Sequence, residues 1–480
     1  MKRREFVAVT ACLPLLQSGH ASANPKRAKP LECEVAIIGA GLAGLNAALI
    51  LQAQGKDVLV IEARNRVGGR METTEVSGLR FELGAVEVGD NYARFLALAK
   101  QLGVPLIKPK SVRIPGTTIS TDGRLFNELE WAKSKLNPQT DEKLRLAAPS
   151  AWLMSALAGP NPLSTPELWR DADMEKYDLP LREYLAQLGQ TDPQILRMME
   201  IASNCNNFNE TSALDILRRD ALRRAAGPTA GTLAVEGGSQ ALPIAMAKAL
   251  KRPIVRTEIN RVAQVGRLNK RFELSNFSAF DEPPVVQAKA VIVAIPAPAM
   301  RLFQIEHPKL DRLSVNALFA RPMTAVTTLH FRPTRKFWEA DGLSPNMWID
   351  GPLERSFASA NASGEIERII VWINGRSASA LDKLGADLPK FVEMELARIR
   401  PSTQGALQFL AARSWGQDRF AGGAYVEIAA GQCQKTALAL DALNTLPKGL
   451  AFAGEHTVFD CSGMEAALAS GERAAELILR

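Results

Sequence analysis

Three glycines, a glutamate and two arginines near the start of the chain have the types and spacing to hold a nucleotide. Gly39-x-Gly41-x-x-Gly44 lies between a short apolar run and a helical one. In that context the first glycine permits a tight turn, the second lets backbone approach a pyrophosphate, and the third lets helix pack on strand. The helix that follows offers unpaired N–H groups and positive partial charge to phosphates. Glu62 stands eighteen residues past Gly44, at the end of the next apolar run. A carboxylate there accepts ribose hydroxyls and repels a 2′-phosphate. "EARNRVGGR" (62–70) then adds Ala63, Arg64, Gly69 and Arg70, a second glycine pair flanked by guanidinium groups. Such a loop suits a dinucleotide reaching farther than NAD would.

Positioning these residues requires a strand at 34–38, a helix at 42–54 and a strand at 57–62, a β-α-β unit. Residues 92–103 read as an amphipathic helix, 141–226 as helix-rich, and 235–250 as a turn and helix. "PIVRTEINRVAQVGR" and "RFELSNFSAF" read as strands, and 290–296 as a buried one. Residues 320–332 and 368–373 read as strands of a second sheet. "GLAFAGEH" gives a last strand and "GMEAALASGERAAELILR" a last helix. The expected architecture is α/β, with a discontinuous Rossmann-type nucleotide domain (34–104, 233–300, 441–480). An α+β substrate domain (helix-rich 105–232, then 301–440) is inserted into it.

Several segments resemble the flavin-containing amine oxidase family of monoamine, polyamine and L-amino-acid oxidases. They are "EARNRVGGR", "FELGAVEVGDNYARFLALAKQLGV", "VEGGSQALPIAMAKAL" and "FAGEHTVFDCSGMEAALASGERAA". The resemblance implies FAD as cofactor. It places Gly84 and Ala85 beside the isoalloxazine, and Val262 where backbone holds adenine. Glu455 falls near the ribityl or phosphate region, and the helix from Gly463-Met464 aims its N-terminus at the flavin. Trp415 matches a tryptophan packed near the ring, and Tyr425 one wall of an aromatic cage for the amine. Gly463 falls where the second wall is usually aromatic. Ala424 replaces the cysteine that tethers flavin in covalent members, so the FAD is expected to be non-covalent. Thr328 falls where many members carry a lysine beside flavin N5, which favours an electron acceptor other than oxygen.

The resemblance implies oxidation of the C–N bond of a primary or secondary amine to an imine, by hydride transfer to N5, followed by hydrolysis. The alternatives are an L-amino-acid oxidase or dehydrogenase, a C–C desaturase of the carotenoid or protoporphyrinogen type, and a non-catalytic FAD-binding partner. Glu87 and the arginines of "RRDALRR" (218–224) are candidate anchors for a charged substrate; otherwise that run reads as a solvated helix face.

The first residues read as an export signal. Arg3-Arg4 resembles a twin-arginine pattern, and Ala21-Ser22-Ala23 an A-x-A cleavage site. Residues 24–33 read as a linker, and the expected location is periplasmic or secreted. Removing residues 1–23 takes away Lys2, Arg3, Arg4 and Glu5 and leaves a net charge of +5, too small to argue for nucleic acid. No apolar run is long enough for a membrane span. Cys33, Cys205, Cys433 and Cys461 form no C-x-x-C pair, and with few histidines no metal site is expected. The expected partners are a small-molecule amine or amino acid and oxygen or another electron acceptor. A homodimer is compatible with the sequence.

Overall fold

Strand Leu31–Ile38 runs between two parallel neighbours, Val58–Glu62 and Val286–Val293. A central parallel strand is covered on both faces. Val35, Ala36, Ile37 and Ile38 are accordingly all buried and apolar instead of alternating. Val255–Arg256 extends the sheet beyond Val58–Glu62. On the other side, Leu450–Phe452 runs parallel to the second half of Val286–Val293. The first half of that strand pairs antiparallel with Arg271–Ser275, followed by Arg261–Val265 and Gln304–Glu306. Strands from the start, middle and end of the chain thus form one eight-stranded sheet. The protein is known here from a computed structural model that describes residues 29–108, 114–159, 161–227, 231–266, 270–276, 285–310, 316 and 319–480. The export signal and residues 24–28 lie outside the described residues.

Helices Leu42–Ala53 and Gly463–Leu479 pack against each other on this sheet. Asn46 Nδ2 donates to Leu468 O at 2.8 Å across their interface. The second sheet has seven strands, in the order Leu407–Ser414, Val326–Pro333, Ile366–Asn374, Arg355–Ala360, Met347–Ile349, Thr118–Thr121 and Arg124–Phe126. Helices between residues 142 and 225 bury a further core. Among the described residues no helix is long and apolar enough to cross a membrane.

Four expectations shift. The first strand begins at Leu31, inside the expected linker, because Leu31–Cys33 pair with Val286–Ala288. "PIVRTEINRVAQVGR" is two strands, since Val255–Arg256 and Arg261–Val265 serve opposite ends of the sheet and Thr257–Asn260 cross between them. Residues 320–332 also break, at Ala325: Met323–Thr324 pair with Tyr425–Val426, while Val326–Pro333 joins the seven-stranded sheet. Finally, "RRDALRR" is a solvated face only at its end, where Arg223 and Arg224 are exposed. Helix Ala213–Ala225 buries Arg218, Asp220 and Ala221, and Arg218 and Arg219 both pair with fully buried Asp215.

Candidate active site

A cavity of about 1370 Å³ lies between the two sheets. The glycine turn forms one end. Gly39 has φ +107, and a Cβ there would meet Ala294 O at 2.5 Å; at Gly44 it would meet Gly39 O at 2.0 Å. Turn and helix could not approach so closely with any side chain at either place. At Gly41, by contrast, a Cβ would stand in open space facing the cavity. Gly41 caps helix Leu42–Ala53 without a side-chain hydrogen bond. The first N–H groups of the helix are therefore available to an anion.

Glu62 is buried, and its carboxylate is bound to backbone in a way the sequence did not suggest. One carboxylate oxygen accepts from Ala40 N at 2.8 Å and the other from Arg64 N at 2.8 Å, which ties the glycine turn to the loop after the second strand. Arg64 pairs with Asp418, and its guanidinium lies 5.1 Å from the centre of the Phe420 ring. Burial pushes the Asp418 carboxyl up, but Arg64 and Arg413 outweigh this and hold it below the usual carboxylate range. Ala63 and Gly69 line the same end of the cavity. Arg70 pairs with Glu455 and donates to Ala424 O at 2.7 Å, while Glu455 accepts from Val426 N at 3.2 Å. The Arg70–Glu455 pair therefore grips the backbone on both sides of Tyr425.

Further along, Gly84 and Ala85 lie on the backbone of Arg70, where Ala85 N donates to Arg70 O at 3.1 Å. Trp415 closes over them, with its Nε1 donating to Leu83 O at 2.9 Å and Arg413 stacked on its ring. Helix Gly463–Leu479 points its N-terminus into this part of the cavity, with Gly463 and Met464 in the wall. Thr328 lines it from the seven-stranded sheet, and its buried hydroxyl has no hydrogen-bond partner among the described residues. Tyr425 lines it as well. Burial raises the pKa of this tyrosine, offset in part by Arg355 nearby.

All the candidates for holding the flavin or walling the amine line this cavity except Gly44, which packs on Gly39 O, and Val262. Val262 sits inside Arg261–Val265, in register with Leu274 on one side and Ile305 on the other; Thr257–Asn260 line the cavity in its place. The arginines of 218–224 do not reach it, being held by Asp215 and Asp220. Glu87 does.

Several wall residues were not singled out from sequence. Tyr92 is one: a Cβ at Gly463 would lie 4.0 Å from its hydroxyl, so an aromatic does stand beside that glycine, supplied by another segment. Gly463 itself has φ +58, which disfavours any larger residue. His330 faces the cavity two residues from Thr328 and stacks on Phe81; burial pushes its pKa down to about 3, so it is neutral. Period-2 spacing from Thr328 could have flagged it. Arg355 and Arg368, on neighbouring strands, carried no local signal at all.

The sequence profile of the flavin containing amine oxidoreductases matches residues 42–479. The chain belongs to that family. It is an oxidoreductase with a flavin cofactor. An L-amino-acid oxidase from Siganus canaliculatus is 26% identical over 459 residues, covering 92% of this chain and 84% of the relative. A flavin-containing amine oxidase from Oncorhynchus mykiss is 25% identical over 471 residues, covering 93% and 85%. The fold is similar to putrescine oxidase bound to putrescine (TM-score 0.73, 20% identity, 94% of this chain and 100% of the other). It is also similar to cyclohexylamine oxidase from Brevibacterium oxydans (TM-score 0.73, 19% identity, 93% and 98%).

Proposed function

We propose that the protein binds FAD without a covalent link and oxidises the C–N bond of a small amine or amino acid to an imine, which water then hydrolyses. The observation that carries this reading is one continuous cavity. It joins the Gly39–Gly44 turn to a chamber walled by Tyr425, Trp415 and Tyr92. Such a shape fits a ligand with a pyrophosphate at one end and a flat ring at the other. The turn and the helix N-terminus would hold the pyrophosphate, and Glu62 the ribose. FAD, when bound, supplies the hydride acceptor. The N-terminus of helix Gly463–Leu479 offers positive partial charge at the ring end. Ala424 has no sulfur, and Cys461 does not line the cavity, which supports a dissociable cofactor.

The protein's part in the reaction is placement. Tyr425 and Tyr92 flank the chamber, and burial raises the pKa of both, so their hydroxyls stay protonated and neither acts as a base. Hydride loss from carbon is assisted by the nitrogen lone pair, so the neutral amine reacts. Aromatic rings against the nitrogen favour that form over the fully hydrated ammonium. Anaerobic stopped-flow reduction with a panel of amines, polyamines and amino acids tests the reading. Tyr425→Phe should keep most of the rate, and Tyr425→Ala should lower kcat/KM with FAD content unchanged. If nothing in the panel reduces the flavin, amine oxidation is lost and the desaturase alternative leads.

Thr328 bears on the electron acceptor. The cavity wall holds no lysine among the described residues. Reduced enzyme mixed with an artificial acceptor should reoxidise faster than with air-saturated buffer. Faster reoxidation by oxygen would make this an efficient oxidase.

Export through a twin-arginine route is proposed from Arg3-Arg4 and Ala21-Ser22-Ala23. Changing both arginines to lysine should strand the precursor in the cytoplasm. Mature protein still arriving in the periplasm would point to a general secretory signal.

A further inference from the structure

We infer that Arg355 is the residue that recognises the substrate, by binding a carboxylate on it, so that the preferred substrate is an amine carrying a carboxylate. This deepens the amine-oxidising reading and rests on it.

The argument begins with position. Cross-strand register sets Thr328, Trp372 and Arg355 side by side on three adjacent strands, and all three line the cavity. Neighbouring strands lie about 4.8 Å apart, so Arg355 starts roughly 10 Å from Thr328 across the sheet, within reach of a small amino acid between them. Tyr425 is close enough to feel its charge.

The second observation is what Arg355 lacks. Among the described residues it makes no ion pair with a carboxylate. The adjacent Glu354 is engaged elsewhere, pairing with Arg197 and accepting from Asn374 N at 2.9 Å. The Nε of Arg355 is buried and has no partner among the described residues. Burial lowers the pKa of this guanidinium, and the adjacent Glu354 and Tyr425 offset that only in part, so a carboxylate brought to it would favour its charged form. The arginines of helix Ala213–Ala225 differ in this respect, since each is tied to Asp215 or Asp220.

Third, the side chain is held ready. Its Nη2 donates to Asn204 Oδ1 at 2.8 Å, and Asn204 sits at φ +54, a conformation asparagine tolerates better than most residues. The rings of Phe357 and Trp372 lie 5.6 and 5.8 Å from its Cζ. A planar fork fixed in this way matches the two oxygens of a carboxylate.

The test uses the FAD-loaded enzyme. Oxidised flavin is titrated with benzoate, which cannot be oxidised here, and with benzamide, reading the flavin absorption spectrum. Wild type should bind benzoate more tightly than benzamide. Arg355→Met should weaken benzoate about ten- to a hundredfold while leaving benzamide unchanged, and Arg355→Lys should fall between them. In anaerobic reduction, wild type should prefer an amino acid to its decarboxylated amine, and Arg355→Met should erase that preference. Equal benzoate affinity in wild type and Arg355→Met overturns the proposal. So does a wild type reduced equally well by both members of each pair. If benzoate discrimination holds but no amine or amino acid reduces the flavin, the carboxylate site stands and the amine-oxidising reading falls. Should Arg355→Met fail to fold, Arg355→Lys and the wild-type comparison still decide.

Discussion

Asp215→Ala should destabilise the folded protein by about 3–5 kcal/mol, because it leaves the buried guanidinium of Arg218 and the partly buried one of Arg219 without their carboxylate. Asp215 is fully buried and takes a hydrogen bond of 2.6 Å from Arg218 and one of 2.7 Å from Arg219. It also accepts from Ile428 N at 3.2 Å. Arg218 continues to Phe459 O and Arg219 to Val426 O. One carboxylate thus ties helix Ala213–Ala225 to the segment that carries Tyr425 and to the loop leading into the last helix. Burial pushes its carboxyl pKa up, but Arg219 and Arg218 outweigh this and hold it below the usual range. A depressed folded-state pKa contributes stability above the unfolded value and loses it as pH falls through the folded one. Thermal melts of wild type and Asp215→Ala should therefore differ by several degrees near neutral pH and draw together in acid. A variant melting within about 1 °C of wild type at neutral pH would show that the arginines find other partners.

Glu62→Ala should weaken FAD retention about ten- to a hundredfold, the effect of losing a charged hydrogen-bond acceptor worth roughly 1.5–3 kcal/mol. The loss acts twice. It removes the proposed ribose contact, and it frees Ala40 N and Arg64 N, which now share that carboxylate. The glycine turn is then no longer pinned to the Arg64 loop. Glu62→Gln should fall short of wild type too, since its NH2 must face one of two N–H donors. Equilibrium dialysis against FAD measures the change. An alanine variant with wild-type affinity would remove Glu62 from the nucleotide site. Acid precipitation of wild type should leave the flavin in the supernatant; flavin in the pellet would contradict the non-covalent reading.

The glycine turn at one end of the cavity was legible in the sequence for a physical reason. A dinucleotide is held by backbone geometry, and backbone geometry restricts residue type locally: Gly39 for its φ, Gly44 for its missing side chain, Glu62 at a fixed distance along the unit. Such constraints sit within a few dozen residues of one another and leave a spaced pattern. The apolar residues 35–38 and 290–293 likewise announced buried strands, although the second strand begins at Val286 and ends at Val293, short of the expected 296.

The end of the cavity proposed for the substrate was decided by tertiary structure. Tyr92 and Gly463 are far apart in the chain, and only packing of the last helix beside Tyr92 brings them together. The charges of 218–224 look solvated as a list of residue types; Asp215 within the same helix, and backbone carbonyls from Val426 and Phe459, make burial tolerable. Arg355 reads as an ordinary strand residue; the role proposed for it depends on register across three strands and on its making no ion pair among the described residues. Side chains that converge from separate strands owe nothing to local spacing, so no local pattern records them.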